Sequence, residues 1–179
     1  MKYDPNTHHR HSVRLPTYDY RQPGAYFVTL VTCHRQCLFG EIADGHVSLT
    51  DYGEVVEREW LRSTKIRCEI QLDAFVVMPN HIHGIVIMGA QTIVGAHGRA
   101  PLRLHRSPRS LGSFVAGFKS AATRRINEAR GTPGIPVWQR NYYEHVIRDE
   151  EELDRVRQYV TDNPECWEQD PENPVCQPS

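Results

Sequence analysis

His81 and His83, one residue apart, follow a Pro-Asn turn in the run Phe75-Val76-Val77-Met78-Pro79-Asn80-His81-Ile82-His83-Gly84-Ile85-Val86-Ile87-Met88. Side chains alternate faces along a strand, so the two imidazoles share one side and Ile82 takes the other. Two imidazoles on a rigid strand can hold one metal ion while Ile82 anchors the strand in the core behind them. Two half-exposed histidines at the polar start of a strand would leave the same spacing. H-x-H alone therefore keeps both readings open.

A second group of polar residues sits on a helical pattern near the C-terminal end. Leu153, Val156 and Val160 recur at i, i+3 and i+7 and form a stripe to be buried. Tyr159 falls on the flank of that stripe, and Asn163 lies one turn later on the same face. Such a helix would press its stripe on a sheet and aim a phenol and an amide at one place. An ordinary boundary tyrosine and an asparagine that stops a helix before Pro164 would look alike. Tyr142 and Tyr143 are rival hydroxyls; adjacent strand residues face opposite ways, so at least one of them should be structural.

The elements that must position these groups read as a mixed fold. Tyr26 to Thr32 is β-branched and aromatic after Pro23-Gly24, a first strand. Cys37 to Leu49 reads as a hairpin turning at Asp44-Gly45. Thr50 or Asp51 caps a helix to about Lys65, and Asp51 with Glu54 fits a capping box. Glu69 to Met78 and His81 to Met88 form an antiparallel pair. Ser110 or Ser113 starts a helix that Gly131 to Pro136 ends, with Lys119, Arg124 and Arg125 outside its apolar stripe. Val137 to Ile147 is strand-like or extended. Asp149 and Glu152 open the last helix, which runs to about Asp162. This order implies an α+β fold: one antiparallel sheet with helices packed on it, close to a ferredoxin-like arrangement.

With 179 residues, the chain is expected to form one domain over 23–168, after an irregular arm (1–22) and before a tail (169–179). Residues 89–109 form a Gly/Arg-rich loop with four arginines, among them Arg103, Arg106 and Arg109. Arginines there, with Lys119 and Arg124, suit phosphate contacts; a solubilising surface is the competing account. Arg140 and Arg148 flank the Tyr142-Tyr143 pair and could do the same, or form surface ion pairs. Net charge is −1 with histidines neutral, so no uniformly basic binder is implied. Apolar runs are too short to span a membrane, and Met1 to Asn6 lacks the apolar region of a signal peptide. The five cysteines are scattered without a C-x-x-C, as in reduced thiols of a cytoplasmic protein.

Three segments in order then carry a family resemblance: M-P-N-H-I-H on a strand, W-Q-R-N-Y-Y-E-H-V-I-R, and R-V-R-Q-Y-V-T-D-N-P. Over roughly residues 20 to 168 the chain resembles the single-tyrosine HUH transposases, and more narrowly the REP-associated tyrosine transposases of bacteria. The resemblance implies an HUH endonuclease fold and cleavage of single-stranded or hairpin DNA through a covalent 5′-phosphotyrosine. It implies Tyr159 as nucleophile and His81, His83 and Asn163 as metal ligands. Two imidazoles and an amide oxygen leave open positions and suit Mn²⁺ or Mg²⁺, whereas the absence of thiolates disfavours structural zinc. A tyrosine must lose its proton on attack; Glu144, His145, Glu152 or a bound water are all open as base. A non-catalytic DNA-binding regulator on the same fold is the alternative. A hydrolase that adds His97, His105 or His145 to the histidine pair is a third reading. The protein would act as a monomer or homodimer.

Overall fold

The structure of the chain, a computed structural model, describes residues 22–89 and 110–174. The expected arm up to residue 21, the loop from residue 90 with Arg103, Arg106, Arg109, His97 and His105, and residues 175–179 lie outside the described residues.

Four antiparallel strands form the main sheet in the order β4-β5-β1-β6. They are β1 (Gly24–Val31), β4 (Ile70–Val77), β5 (His81–Met88) and β6 (Tyr143–Ile147). A separate hairpin joins β2 (Gly40–Ala43) to β3 (His46–Leu49). Its turn residues, Asp44 and Gly45, both have positive φ (51° and 72°), as a two-residue hairpin turn that follows strand twist requires. Among the described residues the three α-helices are α1 (Asp51–Ile66), α2 (Leu111–Arg130) and α3 (Glu150–Asp162). The α+β expectation holds, with α1 and α2 on one sheet face and α3 on the other.

Alternation along the central strands sorts the residues to those two faces. Tyr26, Val28 and Leu30 of β1 join Ile82 and Val86 of β5 in the core under α1 and α2. Trp60 of α1 fills its centre, edge-on to Phe114 and Phe118 of α2 at ring separations of 5.4 and 5.0 Å. The indole lies so close to β5 that a Cβ on Gly84 would stand 2.5 Å from its ring. On the opposite face Phe27, Ile85 and Ile147 meet Leu153 and Val160 of α3.

Helix starts follow local chemistry. The Thr50 hydroxyl accepts the Gly53 N–H and caps α1. The expected Asp51–Glu54 box does not form: Thr50 already takes the cap position, and Glu54 instead meets Arg58 at 3.4 Å on the outer surface. Ser110 and Ser113 cap α2 reciprocally. Asp149 accepts the Glu152 N–H at the start of α3. Glu152 in turn accepts the Arg148 N–H and pairs with His145.

Two features hold the site-bearing elements in place. Residues 78–80 lead into β5, and neighbours grip them: the Asn80 carbonyl accepts from Thr32 N–H and the Pro79 carbonyl from Phe39 N–H. On β4, Leu72 pairs with Val86 but Phe75 pairs with Gly84, so one extra residue bulges between them. Asp73, in that bulge, accepts two hydrogen bonds from Arg157 of α3, at 2.9 and 2.7 Å.

Candidate metal centre

His81 and His83 stand at the start of β5, opposite Val31 and Thr29 of β1. Both rings are buried, 0% and 3% exposed, with centroids 4.4 Å apart. Their backs are held: His81 Nδ1 meets Asn80 Oδ1 at 2.8 Å and His83 Nδ1 meets Thr29 Oγ1 at 2.9 Å. An amide oxygen only accepts, so His81 carries its proton on Nδ1, and its Nε2 presents a lone pair. Ile82 points into the opposite core, as alternation requires.

Asp170 completes a cluster with them. Its Oδ2 lies 3.9 Å from both Nε2 atoms, and the three ligand atoms lie within 4.8 Å of one another. Ligands about 2.2 Å from one cation can stand ~4.4 Å apart at most, so the 3.9 Å separations fit a shared ion. Asn163, at the end of α3, donates its Nδ2 to Asp170 Oδ2 at 3.1 Å. Among the described residues, His81 Nε2 and Asn163 Oδ1 are buried without a hydrogen-bond partner. Two orphaned lone pairs beside a carboxylate and a second imidazole are donors of the kind that a cation takes. His81, His83 and Asp170 can therefore hold a metal ion, with Asn163 Oδ1 beside them.

Electrostatics agree with that capacity. Burial, reinforced by His83, pushes the His81 imidazolium far below the usual histidine range, despite Asp170; the neutral ring keeps its lone pair. Burial alone would raise the Asp170 carboxyl. Contacts from His83, the Glu172 N–H (2.6 Å) and Asn163 outweigh it and hold the group below the usual range.

Tyr159 projects from α3 to the rim of this cluster. Its hydroxyl reaches His83 Nε2 at 3.3 Å, and its ring is 46% exposed. Partial burial, then the Asp170 charge, hold the phenol above the ordinary tyrosine range, with Asn163 opposing. Phe27 stacks on His83 at 5.3 Å and meets Tyr159 edge-on at 5.8 Å, fixing both rings. The structure thus brings together Tyr159, Asn163, His81 and His83.

Other sequence-selected residues fall elsewhere. Tyr143 is half-exposed on the same sheet face, while Tyr142 turns toward the α1/α2 core. Glu144 pairs with Val28 in register and points to the α1/α2 side, away from Tyr159. His145 and Glu152 bond each other at 2.8 Å. Glu152 lies seven residues before Tyr159 on α3, about 10 Å along its axis. Glu152 is therefore not placed to take the Tyr159 proton. Lys119 lies under the approach to β6 and donates to the Gln139 and Asn141 carbonyls at 3.0 and 2.8 Å; burial pushes its ammonium down to about 8. Arg124 is exposed on α2, 3.8 Å from Glu128. Arg140 and Arg148 are exposed on either side of the Tyr142-Tyr143 pair.

Asp170 is the site residue that sequence reasoning misses, since it falls in the stretch that reads as a tail. Residues 165–173 instead turn back over the histidines. Trp167 lies 6.0 Å from the His81 ring, Arg35 pairs with Glu172 at 3.0 Å, and Asn80 Nδ2 donates to the Glu172 carbonyl at 2.7 Å. The local signal is Asp-Pro-Glu, whose aspartate accepts the N–H two residues on and makes a tight turn.

Fold and site together define an α+β protein with a buried histidine–carboxylate pocket that can hold a metal ion. No family model matches the chain. An uncharacterized protein of Haemophilus influenzae (strain Rd) is 39% identical over 174 residues, which span 94% of this chain and 96% of that protein. The chain belongs to the family of that protein. Among solved structures, a REP-associated tyrosine transposase bound to a REP hairpin superposes with a TM-score of 0.55 at 20% identity, over 84% of this chain and 72% of that one. The likeness is one of fold. A second solved structure, from Deinococcus radiodurans, superposes more loosely, with a TM-score of 0.41 at 21% identity over 83% of this chain and 95% of that one. Among the described residues, no helix is long and apolar enough to cross a membrane.

Proposed function

We propose that the chain is a metal-dependent single-stranded DNA nuclease and strand transferase of the single-tyrosine HUH type, akin to REP-associated tyrosine transposases. Its substrate class would be hairpin-forming repeat DNA, and Tyr159 its nucleophile. The carrying observation is the half-exposed Tyr159 hydroxyl, 3.3 Å from His83 Nε2, at the mouth of a buried cluster with two orphaned lone pairs. The fold shared with a transposase seen on a REP hairpin supports DNA as substrate.

The residues divide the labour. His81, His83 and Asp170, with Asn163 Oδ1, would hold the cation; Mn²⁺ or Mg²⁺ suits mixed nitrogen and oxygen donors. A bound divalent ion supplies positive charge against a phosphate oxygen. Thr29 and Asn80 orient the imidazoles. Tyr159 gives up its hydroxyl proton to water and attacks through its Oη: an O–P bond forms, the P–O3′ bond breaks, and the 3′-oxygen leaves and takes up a proton from water. A 5′-phosphotyrosine and a free 3′-hydroxyl result. Because an ester replaces an ester, the strand can be rejoined without ATP. Partial burial, then the Asp170 charge, raise the Tyr159 hydroxyl above the ordinary tyrosine range. Of the histidines that the hydrolase reading would add, His145 is bonded to Glu152 and is not part of this cluster.

A library of labelled hairpin-forming single strands with Mn²⁺, resolved by denaturing electrophoresis, tests the proposal. A covalent adduct is expected with the natural chain and none with Tyr159→Phe or with EDTA. An adduct that survives Tyr159→Phe overturns the assignment. Retarded DNA without any adduct would instead identify a non-catalytic regulator.

A further inference from the structure

The histidine–carboxylate cluster opens, through His83 and Asp170 with Glu172 at their side, into a cleft of about 490 Å³, a volume suited to a small organic ligand. Its floor is the β1 face around Phe27. Two half-exposed tyrosines flank that floor, Tyr143 from β6 and Tyr159 from α3. Tyr159 meets Phe27 edge-on at 5.8 Å and 81°, and Tyr143 meets the same ring at 6.3 Å and 67°. One buried ring thus sets the angle of both phenols. The far wall is the segment leading into β6, from which Gln139 and Asn141 line the cleft. Lys119 holds that wall from behind, taking the carbonyls of those same two residues at 3.0 and 2.8 Å. The backbone of the wall is thereby fixed before any ligand arrives.

The chemistry of this cleft is specific. Aromatic faces half open to solvent attract a flat π-system, and neutral amides offer both donors and acceptors to its edge. We infer that the cleft binds one unpaired nucleobase, stacked on Tyr143 and hydrogen-bonded along its edge by Gln139 and Asn141, beside the reacting phosphate. This rests on the nuclease reading for the class of ligand. A base inside a duplex has both faces covered by its neighbours and cannot offer one to Tyr143. The cleft therefore selects strands in which the base next to the cleaved bond is already unstacked, as at the foot or loop of a hairpin. Tyr143 and the two amides act as specificity determinants, separate from the nucleophile.

The test uses 2-aminopurine deoxyribonucleoside 5′-monophosphate, whose fluorescence falls on stacking, titrated into the full chain without divalent metal. Saturable quenching is expected at millimolar probe, with competition by natural deoxynucleoside monophosphates and none by deoxyribose 5-phosphate. Tyr143→Phe keeps the ring and should bind as the natural chain does. Tyr143→Ala should bind at least about fivefold more weakly. Absence of saturable quenching, equal binding by Tyr143→Ala, or equal competition by the baseless sugar phosphate overturns the inference. Failures are distinguishable. A Tyr159 adduct without base binding removes the pocket alone, whereas base binding without an adduct removes cleavage and leaves the pocket standing.

Discussion

At the residue scale the decisive group is Asp170. Its carboxylate sits among two buried imidazoles and an amide, and these with the Glu172 N–H outweigh burial and favour its ionised form. Asp170→Asn keeps the shape and the bond from the Glu172 N–H. Without metal, the variant should be less stable than the natural chain at neutral pH, because a depressed carboxyl adds stability above its unfolded pKa. Its Mn²⁺ affinity should fall by at least about tenfold, the loss typical even of a ligand's outer partner. Thermal melts and calorimetric metal titration check the two halves, and an unchanged Mn²⁺ affinity would show that the carboxylate serves the fold and no cation. A strand edge facing a cleft would tolerate truncation of His81 or His83, but both rings are buried. Alanine there would open a cavity as well as remove a ligand. His83→Gln is the cleaner change. Saturating Mn²⁺ at about 100 times its dissociation constant should stabilise the natural chain by about 2.7 kcal/mol and the variant by far less.

At the element scale, α3 must be held against the sheet for Tyr159 and Asn163 to reach β5. The Arg157–Asp73 fork does this at the β4 bulge, two residues before Tyr159. Hydrogen bonds from Arg157 hold the Asp73 carboxyl below its usual range, against partial burial. A depressed carboxylate adds stability above its unfolded pKa and loses it as pH falls through the folded one. The melting-temperature advantage of the natural chain over Asp73→Asn should be full at neutral pH and vanish under strongly acidic conditions. An advantage that persists there would show that Asp73 acts by packing rather than charge. Gly84 sets the other side of β5. With a Cβ only 2.5 Å from Trp60, Gly84→Ala must displace the indole or the strand, at a cost of roughly 1–3 kcal/mol. Urea unfolding midpoints measure it.

At the scale of the whole molecule, net charge is −1, so the proposed strand binding has to rest on local basic groups. Arg103, Arg106 and Arg109 are the proposed phosphate contacts, with Arg124, Arg140 and Arg148 on the described surface. Lys119 carries the same charge, yet two carbonyls engage its ammonium, and Lys119→Met should disturb the β6 approach more than the salt response. Replacing Arg103, Arg106 and Arg109 by glutamine should lower the salt slope of single-strand binding by about 0.7 for each phosphate left unneutralised. An unchanged slope would return them to a solvated surface.

The strands, the hairpin turn and the helix borders are readable from sequence because each is decided locally. Alternation sets the His81–His83 face, Asp44-Gly45 makes the turn, and Ser110 and Asp149 cap helices. The 3.6-residue period puts Tyr159 on the flank of the α3 stripe. The α1 cap escapes such a reading in detail, since Thr50 and Asp51 compete for one position and backbone geometry chooses between them. Asp170 escapes it entirely. Its neighbours are acids and prolines without periodicity, and its role depends on Arg35, Asn80 and Asn163, which lie 135, 90 and 7 residues away along the chain. Sequence by itself determined which side chains share a strand or a helix face, because backbone geometry enforces that over a few residues. Only the tertiary structure decided which faces meet and which carboxylate closes the histidine cluster, because burial and long-range contacts have no local signature.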